Sequence, residues 1–236
     1  MKVLRFLIPG ALLMITACTG PVAGDNPLLT DYDTTFAVPP FDRILPSHFE
    51  PAFAEAMQRQ KDEHRAIIDN TEPPTFDNTI AALDRSGHLL GETSAVFFSL
   101  TGSNTNEDLQ AINKTMAPLL AAHRDELDFD PGIFERVKAV YDSRNELNLD
   151  ADQSFLLENV YRRYVRSGAL LDEEDQARLK EINQSLSQRR VAFGDNLLAE
   201  TNGFQHFVDD DADLAGLPAS VITAAAESAV SEAREG

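Results

Sequence analysis

Residues 172–197 read DEEDQARLKEINQSLSQRRVAFGDNL, and this stretch predicts the longest helix of the chain. Its apolar side chains recur at intervals of three, four or seven residues, which places them on one face of an α-helix. They are Leu179, Ile182, Leu186, Phe193 and Leu197. Asp172 and Asp175 precede them with the spacing of an N-cap, so we expect the helix to begin there.

The same helical period dominates the sequence upstream of this stretch. Pro, Gly and capping residues separate the apolar runs by only a few residues, which is typical of antiparallel helices joined by short loops. The sequence therefore predicts an all-α helical domain over 46–203, built as a mostly antiparallel array.

The last part of the chain, 204–236, departs from this pattern. Phe204, His206 and Val208 stand at alternate positions, which predicts one short strand at 204–208. We expect an acidic loop and the start of a further, Ala-rich helical segment to follow it.

The charge of the chain limits its binding partners. Its 236 residues include 39 acidic and 20 basic side chains, which gives a formal net charge of −19. Nucleic-acid binding needs clustered Lys and Arg, so the composition argues against a nucleic-acid partner. The same negative charge opposes attraction to anionic lipid headgroups. A single Cys excludes a disulfide framework.

The N-terminus has the features of an export signal. Lys2 and Arg5 precede an apolar run at 6–15, which is too short to span a bilayer and is typical of a signal peptide. Residues 15–18 then read ITAC and resemble the lipobox of bacterial lipoproteins. In those proteins the peptide is cut before the Cys, whose thiol is acylated.

This resemblance implies a lipoprotein-type signal peptide at 1–17, a lipid on Cys18, and a tether and N-terminal arm at 18–45. Thr19 stands where an Asp would retain the protein at the inner membrane, so we expect the cell envelope, at the periplasmic face of the outer membrane. No second long apolar run is present, so membrane contact is expected only through the lipid. The alternative is an ordinary signal peptide with a chance Cys.

Known catalytic and metal-binding motifs are absent from the sequence. The zinc-peptidase motif H-E-x-x-H needs two His four residues apart, but no two of the five His lie within five residues of each other: 48, 64, 88, 123 and 206. We expect His123, on an apolar stripe, to be a core residue and His64, beside Glu63, to be solvated. We therefore predict no catalytic residue and no metal ligand in this chain.

The acidic run at 209–213 has the alternate spacing with which a calcium loop begins. Its sixth position is Leu214 rather than Gly, and its twelfth is Ser220 rather than Glu. Both departures favour a solvated loop over a calcium site.

Several separated blocks resemble one enzyme family. The most characteristic is PPTFDNTI at 73–80, which is followed by ALDRSG at 82–87. HFEPAF at 48–53 and FFSLTG at 97–102 continue the likeness. From about residue 26 to the end, the chain resembles the N-terminal part of the peptidyl-dipeptidase branch of the thimet oligopeptidase family of zinc metallopeptidases.

The resemblance implies that this chain is the N-terminal portion of a larger helical metallopeptidase. In that family the N-terminal part forms one wall of a channel for short peptides, while H-E-x-x-H and the zinc lie in the C-terminal half. The parent would release dipeptides from the C-termini of oligopeptide substrates with zinc as its cofactor. This chain would bind no metal, would be inactive alone, and would need the missing C-terminal catalytic half as its partner. The alternative is a non-catalytic helical envelope lipoprotein that binds peptides or a partner protein.

Overall fold

The computed structural model describes residues 26–231, and every regular element in that range is helical. The α-helices are α1 (Phe49–Ile68), α2 (Ala82–Arg85), α3 (His88–Ser103), α4 (Glu107–Asp128), α5 (Pro131–Asp142), α6 (Ala151–Ser167), α7 (Glu173–Gly203) and α8 (Ala219–Ser231). Short 3₁₀ turns cover Pro27–Leu29, Thr35–Ala37, Pro46–His48 and Asp211–Leu214, and a π-helical turn at Phe76–Ala81 runs into α2. The prediction of an all-α fold is confirmed.

The described residues belong to two compact units, one that ends at Gln188 and one that begins at Arg189. The division falls inside α7. This helix is the longest of the described helices, as the periodic pattern of residues 172–197 predicts. At its start, Asp172 Oδ1 accepts a hydrogen bond from the Asp175 amide at 2.9 Å, which is the expected cap. Within 26–231 no helix is both long and apolar enough to cross a membrane.

Capping contacts explain where several helices begin and end. At α6, Asp150 Oδ1 accepts from the Gln153 amide at 2.8 Å, and Gln153 Oε1 accepts from the Asp150 amide at 3.1 Å. Thr75 and Asn78 make the same reciprocal arrangement before the π-helical turn. Gly168 ends α6 with a φ of 109°, a left-handed conformation that favours glycine.

One hydrophobic cluster of the first unit is built around aromatic rings of α1 and α3. The Phe97 ring meets Phe49 and Phe53 edge to face, with centroid separations of 5.0 and 5.4 Å. Leu28 and Ile44, which precede α1, are buried in the same cluster. The segment before α1 therefore contributes two buried side chains, Leu28 and Ile44, to the core of the first unit.

A buried side chain anchors the beginning of this segment. Asn26 Nδ2 donates to the His48 carbonyl oxygen at 2.8 Å, and its Oδ1 accepts from the Leu28 amide at 3.0 Å. Each such hydrogen bond contributes about 1 kcal/mol to stability. Together with Leu28, they hold the arm against the start of α1.

A second cluster of the first unit joins the π-helical turn to α5 and α6. Its fully buried side chains are Ile80, Ile133, Val137, Val140, Leu157 and Tyr164. Beside it, the Tyr141 and Tyr161 rings stack with centroids 3.8 Å apart and planes inclined by 4°. Burying an aliphatic or aromatic side chain contributes about 1.5–3 kcal/mol, so these clusters stabilise the first unit.

The short strand predicted at 204–208 does not form, and none of the described residues belongs to a strand. The chain is irregular between Gly203, where α7 ends, and the turn at Asp211–Leu214. A strand needs a neighbour that completes its backbone hydrogen bonds, and an alternating pattern alone does not supply one.

Candidate functional site

The predicted modification site, Cys18, lies outside the described residues. His48 and His88 lie at helix starts, and His206 lies in the irregular segment after α7. In the part of the chain that the structure describes, no three His, Cys, Asp or Glu side chains are grouped so that they could hold a metal ion.

The other two His are buried in the first unit. His64 on α1 is 6% exposed and His123 on α4 is 5% exposed. The core position expected for His123 is confirmed, whereas the expectation that His64 is solvated is wrong. His64 lies four residues after Gln60 and three before Ile67, and this spacing places it on the buried face of α1.

The acidic run has a capping role. Asp210 Oδ1 accepts a hydrogen bond from the Ala212 amide at 2.9 Å and so caps the turn at Asp211–Leu214. This use of the carboxylate agrees with a solvated loop that begins a helical turn.

A polar junction connects α1 and α4. His123 Nε2 lies 2.8 Å from Gln60 Oε1, and Lys61 Nζ lies 2.6 Å from Glu126 Oε2. Burial, reinforced by the positive charge of Lys61, lowers the pKa of His123 to about 4. The ring is therefore neutral near pH 7, and its Nε2–H donates to the Gln60 oxygen.

A second polar contact connects α4 to α7. Asp125 is buried, and its Oδ1 accepts a hydrogen bond from Asn183 Nδ2 at 2.7 Å. Burial raises the pKa of Asp125, and the bond from Asn183 opposes part of that rise. Both residues belong to the first unit.

Sequence reasoning did not find the contact that fixes the turn between α2 and α3. Glu63 Oε2 accepts from the Gly87 amide at 2.7 Å and from Ser86 Oγ at 2.9 Å. Gly87 has a φ of 76°. A Gly between two helical runs indicates a turn at this position. It does not indicate the carboxylate partner, which lies 24 residues earlier in the chain.

The second unit exposes its apolar side chains. None of the side chains described in 189–231 is buried. Phe193 and Leu197, one turn apart on α7, are 70% and 57% exposed. We define the apolar set of the second unit as Phe193, Leu197, Phe204, Val221 and Val230. Exposed apolar side chains in such numbers are typical of a surface that packs against another polypeptide.

The arm lines a cavity that has no catalytic arrangement. The cavity, of about 310 Å³, lies between the ends of the arm, where Arg43 pairs with Asp33 at 3.1 Å. Its lining includes Asp31 and Tyr32 but no His, Cys or Ser. It therefore lacks a nucleophile paired with a general base.

The arrangement of these side chains does not identify the relatives of the chain, whereas comparison with known proteins does. No protein-family model matches the chain. Over 204 residues it is 38% identical to the dipeptidyl carboxypeptidase of Salmonella typhimurium and 37% identical to that of Escherichia coli; each match covers 86% of this chain and 30% of the relative. Over 211 residues it is 28% identical to oligopeptidase A of Escherichia coli, covering 89% of this chain and 30% of that protein.

The chain thus spans about 30% of the length of the curated relatives it matches. The matched portion is the N-terminal part of those peptidases. The relatives that the chain matches are peptidases of the thimet oligopeptidase family, so the resemblance of its sequence blocks to that family is confirmed.

Proposed function

We propose that the chain forms the N-terminal helical part of a zinc peptidase that releases dipeptides from the C-termini of oligopeptides. The observation that carries this proposal is the 38% identity to a dipeptidyl carboxypeptidase across 86% of the chain. Identity to oligopeptidase A of Escherichia coli is lower, at 28%, which favours the peptidyl-dipeptidase branch. The blocks at 73–80 and 97–102 support the same branch.

The zinc of such a peptidase would be held outside the described residues. A catalytic zinc usually has three protein ligands, and the described residues do not group three potential ligands around one point. The sequence also contains no H-E-x-x-H. We therefore assign no hydrolytic step to these side chains, and propose that the helices form a wall that limits access to the cleft.

The apolar set of the second unit would pack against the rest of the peptidase. Phe193 and Leu197 lie on one face of α7, and Phe204 follows the helix end with a 74% exposed ring. Burying a Phe or Leu side chain contributes about 1.5–3 kcal/mol, so covering these three would stabilise the assembled enzyme by several kcal/mol.

We also propose that Cys18 is acylated and anchors the protein at the periplasmic face of the outer membrane. The ITAC sequence at 15–18, the single Cys and Thr19 support this proposal. Cells grown with a labelled fatty acid should incorporate label into the wild-type chain but not into Cys18→Ser. Thr19→Asp, the matched control, should keep the label and move to the inner-membrane fraction. Label on Cys18→Ser would contradict the assignment.

A chimera tests the proposed function directly. Residues 26–231 of this chain would replace the matching segment of the Salmonella typhimurium dipeptidyl carboxypeptidase. We expect the purified chimera to bind zinc and to release dipeptides from a peptide with a blocked N-terminus, measured by mass spectrometry. The native enzyme is the positive control.

Variants of the chimera test whether Phe193 and Leu197 of α7 pack against the rest of the peptidase. Phe193→Asp with Leu197→Asp should abolish dipeptide release, whereas Ala192→Asp with Ala199→Asp, on the opposite face of α7, should preserve it. A folded, zinc-loaded chimera without activity would contradict the proposal and favour a non-catalytic module that binds peptides or a partner.

A further inference from the structure

Two buried imidazoles, His64 of α1 and His123 of α4, belong to the polar junction of these helices. His123 makes one hydrogen bond, from Nε2 to Gln60 Oε1 at 2.8 Å, and His64 lies one helical turn after Gln60. The Nδ1 atoms of both rings are buried and have no hydrogen-bond partner in the structure. A buried neutral ring tolerates such a nitrogen at modest cost, but a charged ring there would be poorly solvated.

Charged groups on neighbouring elements face both rings. Lys61 of α1 opposes a positive charge on His123, while Glu126 of α4 favours one. Lys61 and Glu126 also pair with each other at 2.6 Å, so each offsets much of the other's effect. His64 adds a further repulsion, because two protonated imidazoles at this junction would repel each other.

Charged groups of both signs also surround His64. Arg163 of α6 opposes its protonation, and three carboxylates on α1 and around the α4–α5 connection favour it: Glu63, Asp128 and Asp130. Burial outweighs those carboxylates and lowers the pKa of His64 below its ordinary value of 6.5. Tyr164 nearby stays neutral in this range, because burial raises its pKa to about 12.

We propose that His64 and His123 make the junction of α1 and α4 sensitive to acid: their protonation loosens the C-terminal half of α4 from α1, while Leu109 and Met116 keep its N-terminal half in the cluster with α1 and α3. Protonated His123 would carry an N–H on Nδ1 with no acceptor, beside Lys61. Protonated His64 would face Arg163 and the second imidazole. The device is independent of any peptidase activity, because it uses only side chains of the first unit.

The direction of the pH effect follows from linkage. Both imidazoles have a lower pKa in the folded chain than in the unfolded chain, so the unfolded chain binds protons first as the pH falls. Their contribution to stability is complete above about pH 6.5 and is lost as the pH falls, which for His123 extends to about pH 4. His123 alone should raise the unfolding equilibrium constant about tenfold to a hundredfold over that range.

The test combines two measurements on the full 236-residue chain. NMR titration of histidine ring protons should show two rings that titrate below 6.5, and single substitutions should assign them to His64 and His123. Urea unfolding at about pH 7, 5 and 4 should show a stability loss that is smaller in His64→Gln with His123→Gln than in the wild type. His88→Gln, which removes an exposed imidazole, is the matched control and should behave as the wild type.

Amide hydrogen exchange shows which helix opens first as the pH falls. Amides of α4 near His123 should lose protection at pH 4 before those of α6. The proposal is overturned if His64 and His123 titrate near 6.5 in the wild-type chain, or if α4 and α6 lose protection together. The NMR and exchange results stand on the wild-type chain, so they decide the matter even if the double variant does not fold.

Discussion

Gly87 is the residue whose backbone the fold constrains most clearly. Its φ is 76°, and a Cβ atom there would lie 2.2 Å from Gln60 Nε2. We expect Gly87→Ala to destabilise the chain by about 1–3 kcal/mol, because the left-handed backbone is strained and Gln60 must leave His123. Urea unfolding measures this change.

Gly91, one turn later in α3, is the matched control. A Cβ atom there would meet no other atom within 4 Å. Gly91→Ala should therefore stabilise the chain by about 0.5–1 kcal/mol, since Ala has the higher helix propensity. Equal effects of the two substitutions would contradict the structure of the α2–α3 turn.

The raised pKa of Asp125 predicts a change of stability with pH that is opposite in sign to the change predicted for the two buried histidines. Its pKa is raised in the folded chain, so its contribution to stability is present at low pH and is lost as the pH rises through the folded pKa. Asp125→Asn should be at least as stable as the wild type near pH 7, and that advantage should shrink in acid. A variant that is much less stable at pH 7 would show that the charged carboxylate is favourable.

At this scale the sequence predicts burial from periodicity but does not predict contacts between distant residues. The absence of H-E-x-x-H is read directly, and the apolar stripe of α4 correctly predicts a buried His123. The expectation that His64 is solvated rests on its charged neighbour Glu63, whereas the helical period places His64 with Ile67 on the buried face of α1. The contact between Glu63 and Gly87 joins residues 24 positions apart, and nothing local in the sequence encodes it.

The contact between α1 and α3 depends on one aromatic ring. Phe97 has no exposed surface and meets the rings of Phe49 and Phe53. Phe97→Ala should cost about 3–5 kcal/mol, because it removes buried area and leaves a cavity. The midpoint of urea unfolding is the measurement.

The adjacent Phe98 provides the control for that substitution. It is 48% exposed, so Phe98→Ala should cost about 1 kcal/mol or less. If the two variants lose similar stability, Phe97 does not hold the centre of the cluster between α1 and α3.

Elements are predictable where periodicity and capping agree. The α7 pattern with Asp172 predicts a helix and its first residues, and the structure has both. The strand at 204–208 had periodicity only. Its formation depends on a hydrogen-bonded neighbour, which is a property of the surrounding fold rather than of five residues.

At the scale of the whole molecule, the exposed apolar side chains predict self-association. We expect the isolated chain to sediment as a mixture of monomer and larger species, because its second unit buries none of its described side chains. Phe193→Asp with Leu197→Asp should shift the distribution toward monomer. Ala192→Asp with Ala199→Asp adds the same charge elsewhere on α7 and should do so less.

A wild-type chain that sediments as a single monomer at all concentrations would contradict this expectation. The resemblance to the family could be read from separated sequence blocks, but the exposure of the apolar set of the second unit could not. Periodicity places Phe193 and Leu197 on one face of α7, and only the fold shows that this face is left uncovered.

The most direct test of the central claim uses the purified 236-residue chain with added zinc and an oligopeptide blocked at its N-terminus. The dipeptides released are measured by mass spectrometry and the bound metal by elemental analysis, with the Salmonella typhimurium dipeptidyl carboxypeptidase run in parallel. We predict that the chain alone releases no dipeptide and retains no stoichiometric zinc while the enzyme cleaves. Dipeptide release by the chain with one zinc bound per molecule would contradict its assignment as a non-catalytic wall of a larger peptidase.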